Sequence, residues 1–315
     1  MASTTPAPVA GADAPAVVPD LPDLPLPRRT DDRLVYDAVT YARPLGFRPL
    51  LMDVHVPADA DGPVPCVVWI HGGAWWDGDR RFTPGNWPKD DHWFRLVVGS
   101  GMAVATVDYR LSGEAHHPAQ LADAQAAIRF LRHRSADLGI DPDRIGVSGE
   151  SAGGHLAALV ALTGDAPVPP TERSVVGPSS AVAAAVPMYP VTDLSAFGPD
   201  GPDAAADTAG APPWVGPTPE DRLLGRPVGE AADVARAASP VGRVHAGAPP
   251  MLLLHGTADT VVPPGHSERL AAALADAGAP VRLELVPGGE HCFDRVDPVP
   301  ALRAAVDFLA EHLRA

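Results

Sequence analysis

The sequence predicts an α/β fold, a mostly parallel sheet of eight strands with helices on both faces. Three observations point there. Short apolar runs alternate with amphipathic segments along most of the 315 residues, the signature of repeated strand–helix units. The middle runs are apolar almost throughout, as strands buried on both faces are. Between residues 144 and 162 an apolar run, a glycine-flanked turn and a helical segment follow without a gap, the layout of a sharp strand-to-helix connection.

Taken in order, residues 1–30 are Ala/Pro/Asp-rich and lack periodicity. They read as a disordered or loosely ordered tail, and 31–315 as a single domain. Runs at 34–42 and 48–56 open the sheet. In the second, Leu50, Met52, Val54 and Val56 alternate with Leu51, Asp53 and His55, which suits an antiparallel edge region. The runs at 64–70, 102–107, 144–148, 181–188, 251–254 and 281–286 are more uniformly apolar and read as buried parallel strands. A helix over 118–134 places Leu121, Ala124, Ile128 and Leu131 on one face, and a second follows at 154–162. A third over 267–277 does the same with Leu270, Ala273, Leu274 and Ala277, and Gly278 supplies its C-cap. Pro300 opens a last helix with Leu302, Val306, Leu309 and Leu313 inward. Residues 190–248 interrupt the alternation with Pro, Gly, Ala and Asp. Short helical stretches are expected near 220–224 and 229–238, in an irregular cap-like insertion over the carboxyl ends of the strands.

Composition narrows the partners. The chain is 46% hydrophobic and 20% charged, with a formal net charge of −15. No basic run exists, which argues against nucleic acid or an anionic membrane as a partner. Cys66 and Cys292 are too few for a disulfide framework. Cys66 reads as a buried thiol in a strand, Cys292 as packed beneath its loop. No stretch reaches the length of a membrane span. No basic segment precedes an apolar one at the N-terminus, so cytoplasmic residence is expected. Oligomeric state is not legible.

The chemistry gathers at Gly149-Glu150-Ser151-Ala152-Gly153. A turn this tight pushes its central residue to positive φ, and flanking glycines remove the Cβ atoms that would clash with strand and helix. The hydroxyl of Ser151 is thereby lifted above the sheet edge. A serine hydroxyl needs a base to take its proton, and an imidazole base needs a carboxylate to fix its tautomer. Asp259 lies just past the run ending Leu252-Leu253-Leu254-His255-Gly256, and His291 just past Val286-Pro287-Gly288-Gly289. Both therefore sit beyond strand carboxyl ends, on the same edge as Ser151. Upstream, Val67-Val68-Trp69-Ile70 leads into His71-Gly72-Gly73-Ala74-Trp75-Trp76. Gly73 and Ala74 can supply backbone N–H groups to a developing oxyanion, and Ala152 at the helix start a third.

The set HGGAWW, DYRLS, GESAGGHLA, SPV, LLLHGTADTVVP and GGEHCF resembles the carboxylesterase branch of the α/β-hydrolase superfamily. It is most similar to the hormone-sensitive-lipase-like esterases and to the feruloyl- and acetyl-esterase-like group near kynurenine-formamidase-like enzymes. The match spans roughly residues 30–312 in order and spacing. The resemblance implies an α/β-hydrolase fold and a cofactor-independent serine hydrolase acting on small carboxylic esters. It implies Ser151, Asp259 and His291 as the triad and Gly73, Ala74 and Ala152 as oxyanion donors. The lipase-like branch carries three glycines after the histidine, and here Ala74 stands in the third place. The Trp that follows leans toward the feruloyl-esterase-like or formamidase-like groups. An arylformamidase would share all this machinery. A non-catalytic binding module on the same scaffold is the reading from another class.

Other residues have plainer expectations. His71 and His255 brace loops, and His155 is buried and satisfied. Adjacent His116 and His117 do not readily face one ion, so no metal site is expected. Asp193 also follows a strand but lies outside the motif. Glu150 is a brace or an electrostatic tuner of His291. Trp75 and Trp76 cannot both point inward, so at least one is expected to face substrate or cap, while Trp87 either lines a pocket or packs the core.

Overall fold

Cys66, Val68 and Ile70 pack on one side of their strand, Val67 and Trp69 on the other, and all five are fully buried. That two-sided burial is what an uninterrupted apolar run demands, and it fixes the layers of the molecule. The computed structural model describes residues 20–88, 92–166, 169–197, 201–203 and 216–314. In chain order the elements are β1 (Arg28–Arg29), β2 (Arg33–Ala42), β3 (Leu50–Pro57), β4 (Val64–Ile70), α1 (His92–Gly99), β5 (Ala103–Val107), α2 (Ala119–His133), α3 (Ser135–Leu138), β6 (Ile140–Glu150), α4 (Ala152–Thr163), β7 (Ala185–Met188), α5 (Pro219–Leu224), α6 (Ala232–Ala238), β8 (Met251–Gly256), α7 (Gly265–Asp276), β9 (Val281–Val286) and α8 (Val299–Leu313).

Among the described residues one nine-stranded sheet runs in the order β1-β2-β3-β5-β4-β6-β7-β8-β9. The pairs β1–β2, β2–β3 and β3–β5 are antiparallel, and β5 through β9 are joined by parallel pairs. This is the α/β-hydrolase fold. Helices α1 and α8 cover the face carrying Val67, Trp69, Val104, Val186 and Leu252. Helices α2, α4 and α7 cover the face carrying Val68, Ala105, Val147 and Leu253. Helix α4 is apolar except for the hydrogen-bonded His155 and Thr163 and is buried along its whole length, as a helix enclosed on every side must be.

From β4 the chain steps to β5 on one side, then crosses to β6 on the other. The carboxyl ends of β4 and β6 thus flank the point where strand order reverses, and ligand crevices of open α/β sheets form there.

Several expectations change. Eight strands become nine because Arg28–Arg29 pairs with β2. A two-residue charged strand leaves no apolar run to read, and its pairing draws the end of the expected tail into the sheet. Residues 1–19 lie outside the described part. The run at 48–56 is antiparallel to both neighbours and sits in the antiparallel end of the sheet as expected, but β3 is third from that edge, between β2 and β5. Its polar face is buried as well, with His55 stacked on Phe94 and Asp53 paired with Arg80. The run at 281–286, read as a buried parallel strand, is parallel but forms the edge opposite β1, and β9 is only half-buried. Helix α1 was not expected. In the insertion at 190–248, α5 carries a capping box between Thr218 and Asp221, and residues 198–200 and 204–215 lie outside the described part. No helix among the described residues is long and apolar enough to cross a membrane.

Candidate active site

Strand β6 ends at Glu150 and α4 begins at Ala152, so Ser151 alone makes the turn. Its φ is 54° and its ψ −118°, a conformation costing a non-glycine residue on the order of 1–3 kcal/mol. The glycines around it are obligatory. A Cβ on Gly149 would lie 2.4 Å from the Gly153 carbonyl oxygen, and one on Gly153 would lie 2.1 Å from the Ile70 oxygen. With no side chain at either place, β6, α4 and β4 close to backbone contact.

His291 Nε2 lies 3.0 Å from Ser151 Oγ, and His291 Nδ1 lies 2.8 Å from Asp259 Oδ2. A carboxylate only accepts, so Nδ1 carries the proton and Nε2 offers its lone pair to the serine hydroxyl. Asp259 Oδ1 accepts the N–H groups of Val261 and Val262 at 3.0 and 2.8 Å. Burial by itself would raise this carboxyl, but hydrogen bonds from His255 and His291 override it and hold the group down at about 2. The Tyr189 ring meets His291 edge-on at 5.0 Å. Glu290 ties the two loops together, accepting from Thr260 and from the His291 N–H.

The donor turn follows β4. Gly73, Ala74 and Trp75 take φ values of 95°, 53° and 60° in succession, and the Gly73 carbonyl accepts from Trp76 and Asp77 at 3.0 Å. Among the described residues neither the Gly73 nor the Ala74 N–H meets a protein acceptor. Ala152, as first residue of α4, has no acceptor within its helix. Behind the turn Arg80 donates from Nε to Asp53 at 2.8 Å and from its N–H to Asp108 at 2.9 Å, locking the loop to β3 and to the end of β5.

The two tryptophans part ways. Trp75 is 1% exposed and donates its indole N–H to His155 Nδ1 at 3.1 Å. It packs in the core, so of the two it is Trp76 that faces outward. Trp76 is 37% exposed, with the Arg222 guanidinium 4.5 Å over its ring. It borders a cavity of about 660 Å³ shared with Leu111, His116, Pro217, Arg222 and Gly225. Trp87 is buried, its N–H donated to the Cys292 carbonyl at 3.0 Å.

His155 is fully buried and its Nε2 donates to the Ala238 carbonyl, while burial drives its ring down to about 3. His71 lies against its own turn, 2.7 Å from the Gly72 carbonyl. His255 does more than brace. Its Nε2 reaches both the Val262 carbonyl at 2.8 Å and Asp259 Oδ2 at 3.3 Å. Asp193 instead caps Ser195. His116 bonds the Arg222 carbonyl, and no group of His, Cys, Asp and Glu among the described residues is arranged around a metal position. Cys66 is buried, its thiol pushed up to about 12 by desolvation. Sequence reasoning missed Tyr109, Tyr189, Arg80 and Asp108. An acidic residue inside an apolar strand, as at Asp53, was the available signal for the Arg80 network.

Comparison with known proteins gives a consistent set. The BD-FAE family model matches residues 52–274. Esterase LipQ of Mycobacterium tuberculosis is 33% identical over 298 residues, covering 92% of this chain and 65% of LipQ. Probable carboxylic ester hydrolase LipM of the same organism is 31% identical, covering 80% of this chain and 56% of LipM. The chain thus spans somewhat under two thirds of these relatives' length. Among solved structures, a truncated carbohydrate esterase from gut microbiota superposes with a TM-score of 0.75 at 28% identity, covering 92% of this chain and all of that one. Esterase 2 of Thermogutta terrifontis phosphoramylated by tabun gives 0.66 at 28% identity, covering 92% and 96%.

Proposed function

We propose, from the premise that this chain belongs to the BD-FAE family, that it hydrolyses carboxylic esters through a covalent acyl-enzyme. The observation that carries this reading is the continuous hydrogen-bonded chain from Ser151 Oγ through His291 to Asp259, at 3.0 and 2.8 Å. The esterases among its relatives support it. So does the neighbour modified by tabun, because organophosphates trap activated hydroxyls.

Ser151 Oγ attacks the ester carbonyl carbon while His291 Nε2 takes its proton. Asp259 stabilises the imidazolium that forms. Negative charge on the carbonyl oxygen falls on the N–H groups of Gly73, Ala74 and Ala152, each worth about 3 kcal/mol in the transition state. The tetrahedral intermediate collapses, His291 gives its proton to the leaving alkoxide, and the alcohol departs. Water then attacks the acyl carbon as His291 takes its proton, the second tetrahedral intermediate breaks its bond to Ser151 Oγ, and His291 returns the proton to that oxygen as the acid departs. Pro217 and Arg222 of the segment expected as a cap border the cavity beside Trp76, which follows the Gly73-Ala74 donors in sequence, and that supports a cap role for the described residues 216–227. Cytoplasmic residence belongs to the same proposal, supported by two unpaired thiols at Cys66 and Cys292.

Ser151→Ala tests the nucleophile. Hydrolysis of p-nitrophenyl acetate is expected to fall by about 10⁴ or more in kcat, with the melting temperature little changed. Activity near the parental level in a folded variant would overturn the assignment.

A further inference from the structure

Glu150 is the last residue of β6 and the immediate neighbour of Ser151, yet the mechanism above gives it no step. It is 1% exposed. Its Oε1 accepts the Gly72 N–H at 2.6 Å. The parallel register setting Ile70 opposite Gly149 leaves Gly72 one residue past the level of Glu150, within reach of its side chain. The fit is closed, because a Cβ on Gly72 would sit 2.0 Å from Oε1. Tyr109 holds the same turn from behind, its hydroxyl 3.1 and 3.2 Å from the His71 and Gly72 carbonyls and its ring stacked on His71. The peptide pinned in this way leads directly into Gly73 and Ala74.

Charge is the second observation. A buried carboxylate is ordinarily matched by Lys or Arg. Among the described residues the titratable groups facing Glu150 are His291, Tyr189, Tyr109 and Cys292. Burial pushes both phenols and the thiol up, so these three stay neutral near pH 7. Only His291 gains positive charge during turnover. Burial also pushes the Glu150 carboxyl up to about 7, while His291, the Gly72 N–H and Tyr189 pull it down. The carboxyl is therefore shared between neutral and charged forms at neutral pH, and an imidazolium beside it tips it to the anion. An anion in such surroundings gains strongly when an imidazolium forms beside it.

We propose that Glu150 is a positioning residue that couples the two halves of the site. Its carboxylate clamps the Gly72 N–H, which aims the Gly73 and Ala74 donors, and it adds a second negative charge that stabilises protonated His291. The proposal rests on the ester-hydrolase reading and deepens it.

Glu150→Gln keeps the shape and an oxygen for the Gly72 N–H, and removes only the charge. For p-nitrophenyl acetate, kcat is expected to fall at least about tenfold with KM changed by less than about twofold. The acid limb of the kcat profile is expected to move down by about half a pH unit or more, since His291 holds its proton less tightly without the anion. Glu150→Asp keeps the charge and withdraws it from Gly72. There kcat falls while the limb moves less. A folded Gln variant with parental kcat and an unmoved limb overturns the proposal. So does a loss of melting stability and KM with no change in pH profile, which is what simple space-filling gives. Should the Gln variant not fold, parental kcat in the Asp variant overturns the clamp. Labelling of the parent by a fluorophosphonate keeps the two readings apart. An unlabelled parent sinks the hydrolase assignment, whereas a labelled parent with indifferent Glu150 variants sinks only the coupling.

Discussion

Asp259 shows how a single side chain can be held in one charge state. Two backbone N–H groups occupy one carboxylate oxygen, and two imidazoles approach the other. The folded value, about 2, lies below the ordinary aspartate value of 3.8. The group therefore contributes stability that is complete above about pH 4 and is lost as pH falls through 2. Asp259→Asn is expected to lower kcat by about 10⁴, because the amide favours the wrong imidazole tautomer. The stability gap between parent and variant, followed by urea denaturation, is expected to narrow between pH 5 and pH 2. A gap that stays constant or widens would contradict the ionised, doubly imidazole-bound carboxylate. Ser151, Asp259 and His291 were each visible in the sequence because each follows an apolar run through a short glycine-marked turn. The second histidine on Asp259 and the grip of Glu150 on Gly72 were not. Those contacts depend on strand register, which no local pattern encodes.

At the level of elements, the decisive contact is the backbone approach of α4 to β4. Gly153→Ala is expected to destabilise the fold by about 2–4 kcal/mol and to abolish turnover, because the new methyl meets main chain that has no room to yield. Gly99 ends α1 with open space around it and an ordinary φ. Gly99→Ala is expected to be neutral or to stabilise by up to about 1 kcal/mol through helix propensity. Guanidinium denaturation of the pair checks both, and equal effects would contradict the close approach. Strand existence was legible, and the bounds of 64–70 and 281–286 coincide with β4 and β9. Strand position was less so. Val281-Arg282-Leu283-Glu284 alternates and is an edge, whereas Asp53 and His55 alternate in a strand covered on both faces. The covering residues, Phe94 and Arg80, come from loops and helices farther along the chain. Helix α1 escaped notice because its eight residues hold adjacent Val97 and Val98 and fewer than three full turns.

For the molecule as a whole, a net charge of −15 sets a repulsive background. Two of its ion pairs, Arg80 with Asp53 and Arg110 with Asp123, are largely shielded from solvent. Salt therefore screens the repulsion more than it weakens these pairs. Raising NaCl from about 0.02 M to about 0.5 M is expected to raise the melting temperature by a few degrees. A fall would mean that exposed pairs dominate the balance. The fold class was readable from alternation alone, but the crossing from β5 back to β6 was not, and that crossing makes the crevice. It also scatters the proposed reacting set along the chain. Severed between α4 and β7, the polypeptide would leave the hydroxyl and its anion cradle on one piece and the proton relay on the other. Neither piece owns a step it can complete, so the smallest heritable unit of turnover here is the entire sheet.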